Sequence, residues 1–225
     1  MTTVDEKTVT LSWQELFRAL WPKPALHHQY LKLIDAGHRW EWYRFQDGWK
    51  QLGQFRQGAE PGPERLITMN NGWGVRFDPS LRSHAAAGSP PIPMTAVWAG
   101  LWLPLERRKG EPAPRIQPNA REAARARLLC ASVSPSLLLD EGLRLVALWL
   151  LDKPVPVETT GRWLLAQLAR LLDCDRMLAD LERAEMLLPG VHLEIFPPRD
   201  VIAEAVAEPL KRVKLEELAA WLDAV

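Results

Sequence analysis

Residues 134–154, SPSLLLDEGLRLVALWLLDKP, constrain this chain more than any other stretch. Two apolar runs flank Glu141-Gly142, and each run is continuous rather than alternating. Alternation marks a strand with one wet face, whereas continuity marks strands covered on both sides, so this reads as a hairpin buried on both faces. The remaining segments have to supply those covers. Around the hairpin, strand-like and helix-like stretches are mixed along the chain, which predicts a mixed α+β fold of antiparallel hairpins packed by helices.

Residues 11–20, LSWQELFRAL, place Trp13, Leu16, Phe17 and Leu20 on one helical stripe, with Ser12 as cap and the following WPKP as stop. HRWEWYRF, from His38, has strand character, and QDGWKQLGQF after it is expected to turn and loop. Arg65 to Met69 and Trp73 to Phe77 bracket Asn70-Asn71-Gly72, a hairpin signal. A loop rich in proline, serine, alanine and glycine over residues 78–95 leads into an apolar strand expected to end at Glu106. Further helices are predicted from near Asn119, after a cap at Thr159 or Thr160, across Arg176 to Met186, and over the closing KLEELAAWLDAV. LLPGVHLEIF returns to a strand. The breaks near residues 78–95 and 107–119 are short enough for intradomain loops, so the chain is taken as one domain over 1–225, with halves 10–110 and 111–225.

With 28 Lys+Arg against 28 Asp+Glu, the molecule has no overall pull on polyanions, and nucleic-acid contact would depend on local patches. Cys130 and Cys174 lie among leucines and read as buried free thiols of a reducing compartment. The N-terminus lacks a charged-then-apolar leader pattern and no run is long enough to cross a bilayer, so a cytoplasmic protein with no membrane partner is expected. Most of the eleven tryptophans are expected in the core. His27 and His28 are adjacent and make a poor chelating pair, pointing about a hundred degrees apart on a helix. Arg121, Arg125 and Arg127 read as a solvated helix face.

DEGLRLVALWLL, Asp140 to Leu151, resembles the D-S-G-x-G-x-H-x-Y-W-L-L hairpin of the archaeo-eukaryotic primase-polymerase family. Asp140, Gly142, Trp149, Leu150 and Leu151 match it; Glu141 stands for the serine, Arg144 for the second glycine, and Val146 for the histidine that contacts nucleotide phosphate. The family's metal-binding D-x-D or D-x-E resembles WLPLE, with Pro104 in place of the first acid and Glu106 as the second. WGVRFDPSLR is similar to the family's N-V-Y-F-G-V-N-P-R, which puts Arg82 near its arginine. ADLERAEMLLPGVHLEIF keeps Asp180, Arg183 and Pro189-Gly190 of the downstream motif, while Val191, Leu193 and Ile195 occupy its threonine, asparagine and lysine places.

The resemblance implies a primase-polymerase-like core with degenerate catalytic motifs. Two-metal phosphoryl transfer needs several carboxylates around ions about 4 Å apart; proline has no ligand atom, and valine donates no hydrogen bond. Glu106 and Asp180 are the candidate catalytic remnants, and the plainer account makes them ordinary polar residues. Arg82 and the Arg107-Arg108-Lys109 knot are candidates for nucleic-acid contact, a solvated turn accounting equally well for the knot. Leu218 and Trp221 on the closing helix would either dock a partner or cover their own sheet. No cofactor is expected, Mg²⁺ or Mn²⁺ entering only if the remnants act. The expected function is that of a non-catalytic partner or DNA-positioning subunit in replication or repair of a mobile element, beside an active primase-polymerase subunit, a helicase or a nuclease, with single-stranded DNA as a further partner. An active subunit built on the remnant carboxylates and an interaction module without nucleic-acid contact are the alternatives.

Overall fold

The computed structural model describes residues 8–21, 29–34, 40–46, 51–54, 74–83, 90–107, 109–110, 115–174, 185–192 and 199–224. The buried hairpin sits at the centre. Its strands, β9 (Leu137–Asp140) and β10 (Arg144–Val155), pair antiparallel, and β10 pairs on its other edge with β6 (Met94–Trp102). Outward from β9 come β13 (Arg199–Ala205) and then β1 (Val9–Leu11), while β12 (Gly190–His192) pairs with the first residues of β13. A second sheet runs β11 (Met186–Leu187), β5 (Arg76–Phe77), β2 (Gln29–Ile34), β3 (Trp40–Gln46), β4 (Gln51–Gln54). All these strand pairs are antiparallel, so the α+β expectation with antiparallel hairpins holds.

Strand alternation sorts the central sheet into two faces. Asp140, Leu145, Ala147, Trp149 and Glu204 lie on one face, which helices cover. Helix α2 (Ala120–Leu129) is held there by ion pairs of Arg121 with Asp140 and Arg125 with Glu204. Arg127 donates to the Leu172 carbonyl at the end of α3 (Arg162–Leu172). Arg121 and Arg125 therefore fasten the helix to the sheet, while Arg127 stays exposed and tied to its neighbour. The closing helix α4 (Leu215–Asp223) lays Trp221 6.0 Å from Trp149, centroid to centroid. Trp149 Nε1 donates to Val133 O at 2.9 Å, whereas the equally buried Trp98 Nε1 has no partner among the described residues. Replacing a made hydrogen bond should cost about 1 kcal/mol more than replacing an unmade one. Trp149→Phe is accordingly expected to destabilise more than Trp98→Phe by about that amount in urea titrations.

Helix α1 (Trp13–Leu20) touches both sheets. Phe17 meets Phe77 at 5.3 Å, the Leu20 carbonyl accepts from Thr95, and the Ala19 carbonyl accepts from Arg212 at 2.8 Å. Its start is a capping box: Ser12 Oγ accepts from the Glu15 N–H at 3.3 Å and the Glu15 carboxylate from the Ser12 N–H at 2.8 Å. The Ser12 side-chain and backbone bonds lower the Glu15 pKa, so this contribution is present above the ordinary glutamate range and is lost as pH falls through the depressed value. Burial lowers the Arg212 pKa.

Several local expectations change. Gln51–Gln54 forms a strand rather than a loop, because it pairs with β3. Thr159 and Thr160 cap no helix: they lie inside a π-turn, Val157–Gly161, that runs directly into α3. Met186 is in a strand against Phe77, since tertiary pairing overrides helix preference there; residues 175–184 of that segment lie outside the described residues. The Asn70-Asn71-Gly72 turn, Arg65 to Met69, and His27 and His28 also lie outside them. Cys130 is exposed and Cys174 half-buried, because Cys130 ends α2, which buries only Leu128. Among the described residues no helix is long and apolar enough to cross a membrane.

Candidate functional site

The second face of the central sheet carries Arg144, Val146 and Leu148 on β10, opposite Trp102, Gly100 and Trp98 on β6. The hairpin turn lies at its Arg144 end. Gly142 takes φ 87°, a left-handed conformation that favours glycine, and its N–H bonds Asp140 Oδ1 at 2.8 Å. The turn closes through Glu141 N–H to Arg144 O at 2.9 Å. This local geometry points the Glu141 side chain inward: its carboxylate accepts from the Leu187 N–H at 2.7 Å and from Arg144 Nε at 2.7 Å. Glu141 is 4% exposed. Arg144 also donates to the Glu185 carbonyl at 2.9 Å, so one carboxylate and one guanidinium connect the central hairpin to β11 of the second sheet.

Val146, at the histidine position of the family motif, is fully buried opposite Gly100. The ladder continues through Leu103, whose N–H donates to Leu143 O at 2.8 Å, and stops at Pro104. Strand β6 thus ends at Trp102, short of the expected Glu106. A proline has no N–H to extend the ladder. The chain leaves the sheet into a two-stranded ribbon of β7 (Leu105–Glu106) and β8 (Arg115–Ile116), with Glu106 opposite Arg115. The structure therefore puts Glu106 on the ribbon and not on the rung beside Val146. Asp180, Arg183 and Arg108 lie outside the described residues.

Arg82 is 9% exposed and its guanidinium binds Asp78 at 2.9 Å, while Asp78 also accepts from the Ser80 N–H at 2.8 Å. That places Arg82 within a folded loop rather than on open surface. Arg107 and Lys109 are exposed beside the ribbon. Leu218 is buried, and the half-buried Trp221 packs on Trp149 of its own sheet.

Sequence reasoning passed over Trp102 and Arg144 as a pair. The guanidinium lies over the Trp102 ring, 5.6 Å from its centroid, and the indole is 59% exposed. The signal available was a tryptophan at the end of an apolar run, just before a basic cluster. Recognising the pair needs the register of the two strands.

Among the described residues no group of three or more histidine, cysteine, aspartate or glutamate side chains is arranged to hold a metal. The positions that the motif resemblance gives to an acid and to a phosphate-contacting histidine hold Pro104 and a buried Val146.

No protein-family model matches the sequence, and a search among curated proteins likewise gives no match. Among solved structures, the AEP domain of the cyanophage S-2L primase-polymerase is similar, with a TM-score of 0.58 and 14% identity, over 92% of this chain and 95% of that domain. The chain has a primase-polymerase-like fold. At that identity the likeness is one of architecture, and function has to be argued from the site.

Proposed function

We propose that this primase-polymerase-like chain is a non-catalytic partner or DNA-positioning subunit in replication or repair of a mobile element. The observation that carries the reading is the rung Val146–Gly100: the residue that the motif resemblance aligns with a phosphate-contacting imidazole is an aliphatic side chain with no exposure and no polar atom. Pro104 adds a second loss of the same kind, since its ring can neither ligate an ion nor be rescued by a rotamer change. The source of the similar domain, a cyanophage primase-polymerase, supports the mobile-element setting. Partners of this reading are an active primase-polymerase subunit, a helicase or a nuclease, with single-stranded DNA bound through local basic patches, since the net charge is zero.

Primer synthesis and extension on a short template with Mg²⁺ or Mn²⁺ are expected to yield no product. Nucleotide incorporation that Glu106→Ala or Asp180→Ala abolishes would overturn the proposal in favour of an active subunit using those carboxylates. Binding to single-stranded DNA is expected to weaken steeply as salt rises. Absence of any such binding would leave only a protein-interaction role.

A further inference from the structure

We infer that Trp102 is a stacking platform for a nucleobase of single-stranded nucleic acid. The inference rests on the DNA-positioning reading and names the contact that does the positioning. Residues Ala96 to Leu101 of β6 are buried, yet the strand ends in an indole with more than half its surface open, more exposed than Leu105, Ile202 or Trp163. A tryptophan can bury 150–250 Å², roughly, and leaving that surface wet forgoes a large apolar gain. An indole in this position is suited to a ligand with a flat apolar face.

The support beneath the ring gives the platform rigidity. Arg144 lies across the strand pair from Trp102 with its guanidinium over the indole, within the range of a cation–π contact. The guanidinium does not swing freely, because Glu141 holds it at 2.6 Å and the Glu185 carbonyl at 2.9 Å, and Glu141 is itself tied to the Leu187 N–H. One face of the indole is thereby set against a fixed cation. The opposite face is the one a planar ring would cover, and a base stacking on it would meet a ring already ordered.

Charge favours nucleic acid over an apolar protein patch as the occupant. Between residues 104 and 119 the sequence carries Arg107, Arg108, Lys109 and Arg115 against Glu106 and Glu111 only, a local excess of basic groups on a chain whose 28 basic and 28 acidic residues otherwise balance that excess with acid. Arg107 and Lys109 are exposed, a few residues from the indole along the chain. Stacking supplies attraction to any base, and the basic ribbon supplies attraction to the phosphates on either side. Because stacking needs only the π-face, binding should be tolerant of sequence.

The test uses the full chain and a labelled oligodeoxythymidylate at about 50 mM salt, where phosphate contacts remain strong. Trp102→Ala is expected to weaken binding about 5- to 150-fold, the equivalent of about 1–3 kcal/mol for one stacked base. Trp102→Phe should recover most of that loss, and both variants should stay folded with melting temperatures only a few degrees below wild type, since the cation–π contact given up at this exposed site is a small one. An oligonucleotide of the same length without bases should bind the wild type more weakly and the Trp102→Ala variant no more weakly than the intact strand binds it. Equal affinity of wild type and Trp102→Ala for the intact strand overturns the inference, and leaves the non-catalytic reading standing if primer extension is also absent. Robust primer extension with the stacking loss intact would do the reverse. A wild type that binds no strand but loses a copurifying protein on Trp102→Ala also overturns the inference, making the indole a protein contact.

Discussion

Glu141→Ala is expected to lower the unfolding free energy by about 3–5 kcal/mol, the range for removing one member of a buried ion pair. The side chain is almost fully buried, and two groups depend on it: the Leu187 N–H at 2.7 Å and the Arg144 guanidinium at 2.6 Å. Alanine leaves both without this acceptor in a place water reaches poorly, so the cost is that of orphaned donors rather than that of one average hydrogen bond. Because Leu187 belongs to the second sheet and Arg144 to the central hairpin, the loss falls on the junction between sheets. For a chain of this size it should appear as a fall in melting temperature of about 6–20 °C, at roughly 2–4 °C per kcal/mol. Glu141→Gln keeps an acceptor for Leu187 and gives up the charge facing Arg144, and should fall between wild type and alanine. A change below about 1 kcal/mol for Glu141→Ala would mean that the two sheets do not rely on this carboxylate.

The same residue shows what the sequence conveyed and what it withheld. The hairpin was legible because continuous apolar runs on either side of Glu141-Gly142 fit only strands covered on both faces, and both strands and the turn lie where that pattern puts them. Continuity, however, erases the period that would say which side chain faces which layer. Glu141 could be read as a substituted serine in a turn, but its acceptor role depends on Leu187, far along the chain. The partners of Arg121, Arg125 and Arg127 were hidden for the same reason: Asp140, Glu204 and the Leu172 carbonyl lie well outside any helical spacing from them. Arg82 was the opposite case, since its partner Asp78 sits four residues away and was open to local reasoning.

Pro104 carries the comparison into the site. The strand was expected to reach Glu106, although Pro104 has no N–H to give to a ladder. In the structure the ladder stops at the proline and Glu106 pairs with Arg115 on a separate ribbon. A resemblance by linear spacing cannot register such a departure from the sheet, because the spacing between motif letters is unchanged when the chain turns away. Strand register does so at once: Val146 faces Gly100, and the exposed rung next to it is Trp102–Arg144. The candidate site is therefore an aromatic–cation pair where the motif alone directs attention to carboxylates.

Val146→His, which restores the family's residue at that position, is expected to damage the protein rather than revive chemistry. Val146 is fully buried between Gly100 on β6 and Leu139 on β9. The larger ring has to displace packed neighbours, at about 1–3 kcal/mol. Its nitrogens, entering a site lined by apolar strands, add about 1–3 kcal/mol if they find no partner. Together the loss should be about 2–6 kcal/mol in denaturant titrations. It should also grow on acidification. Burial depresses the pKa of the introduced imidazole in the folded state, so below about pH 6.5 the unfolded chain binds a proton that the folded one excludes, and stability falls as pH falls. If the variant instead kept wild-type stability and gained affinity for a nucleoside triphosphate, the Val146 rung would be an open phosphate site with one group missing, and the case for a scaffold that no longer catalyses would fail at its central observation.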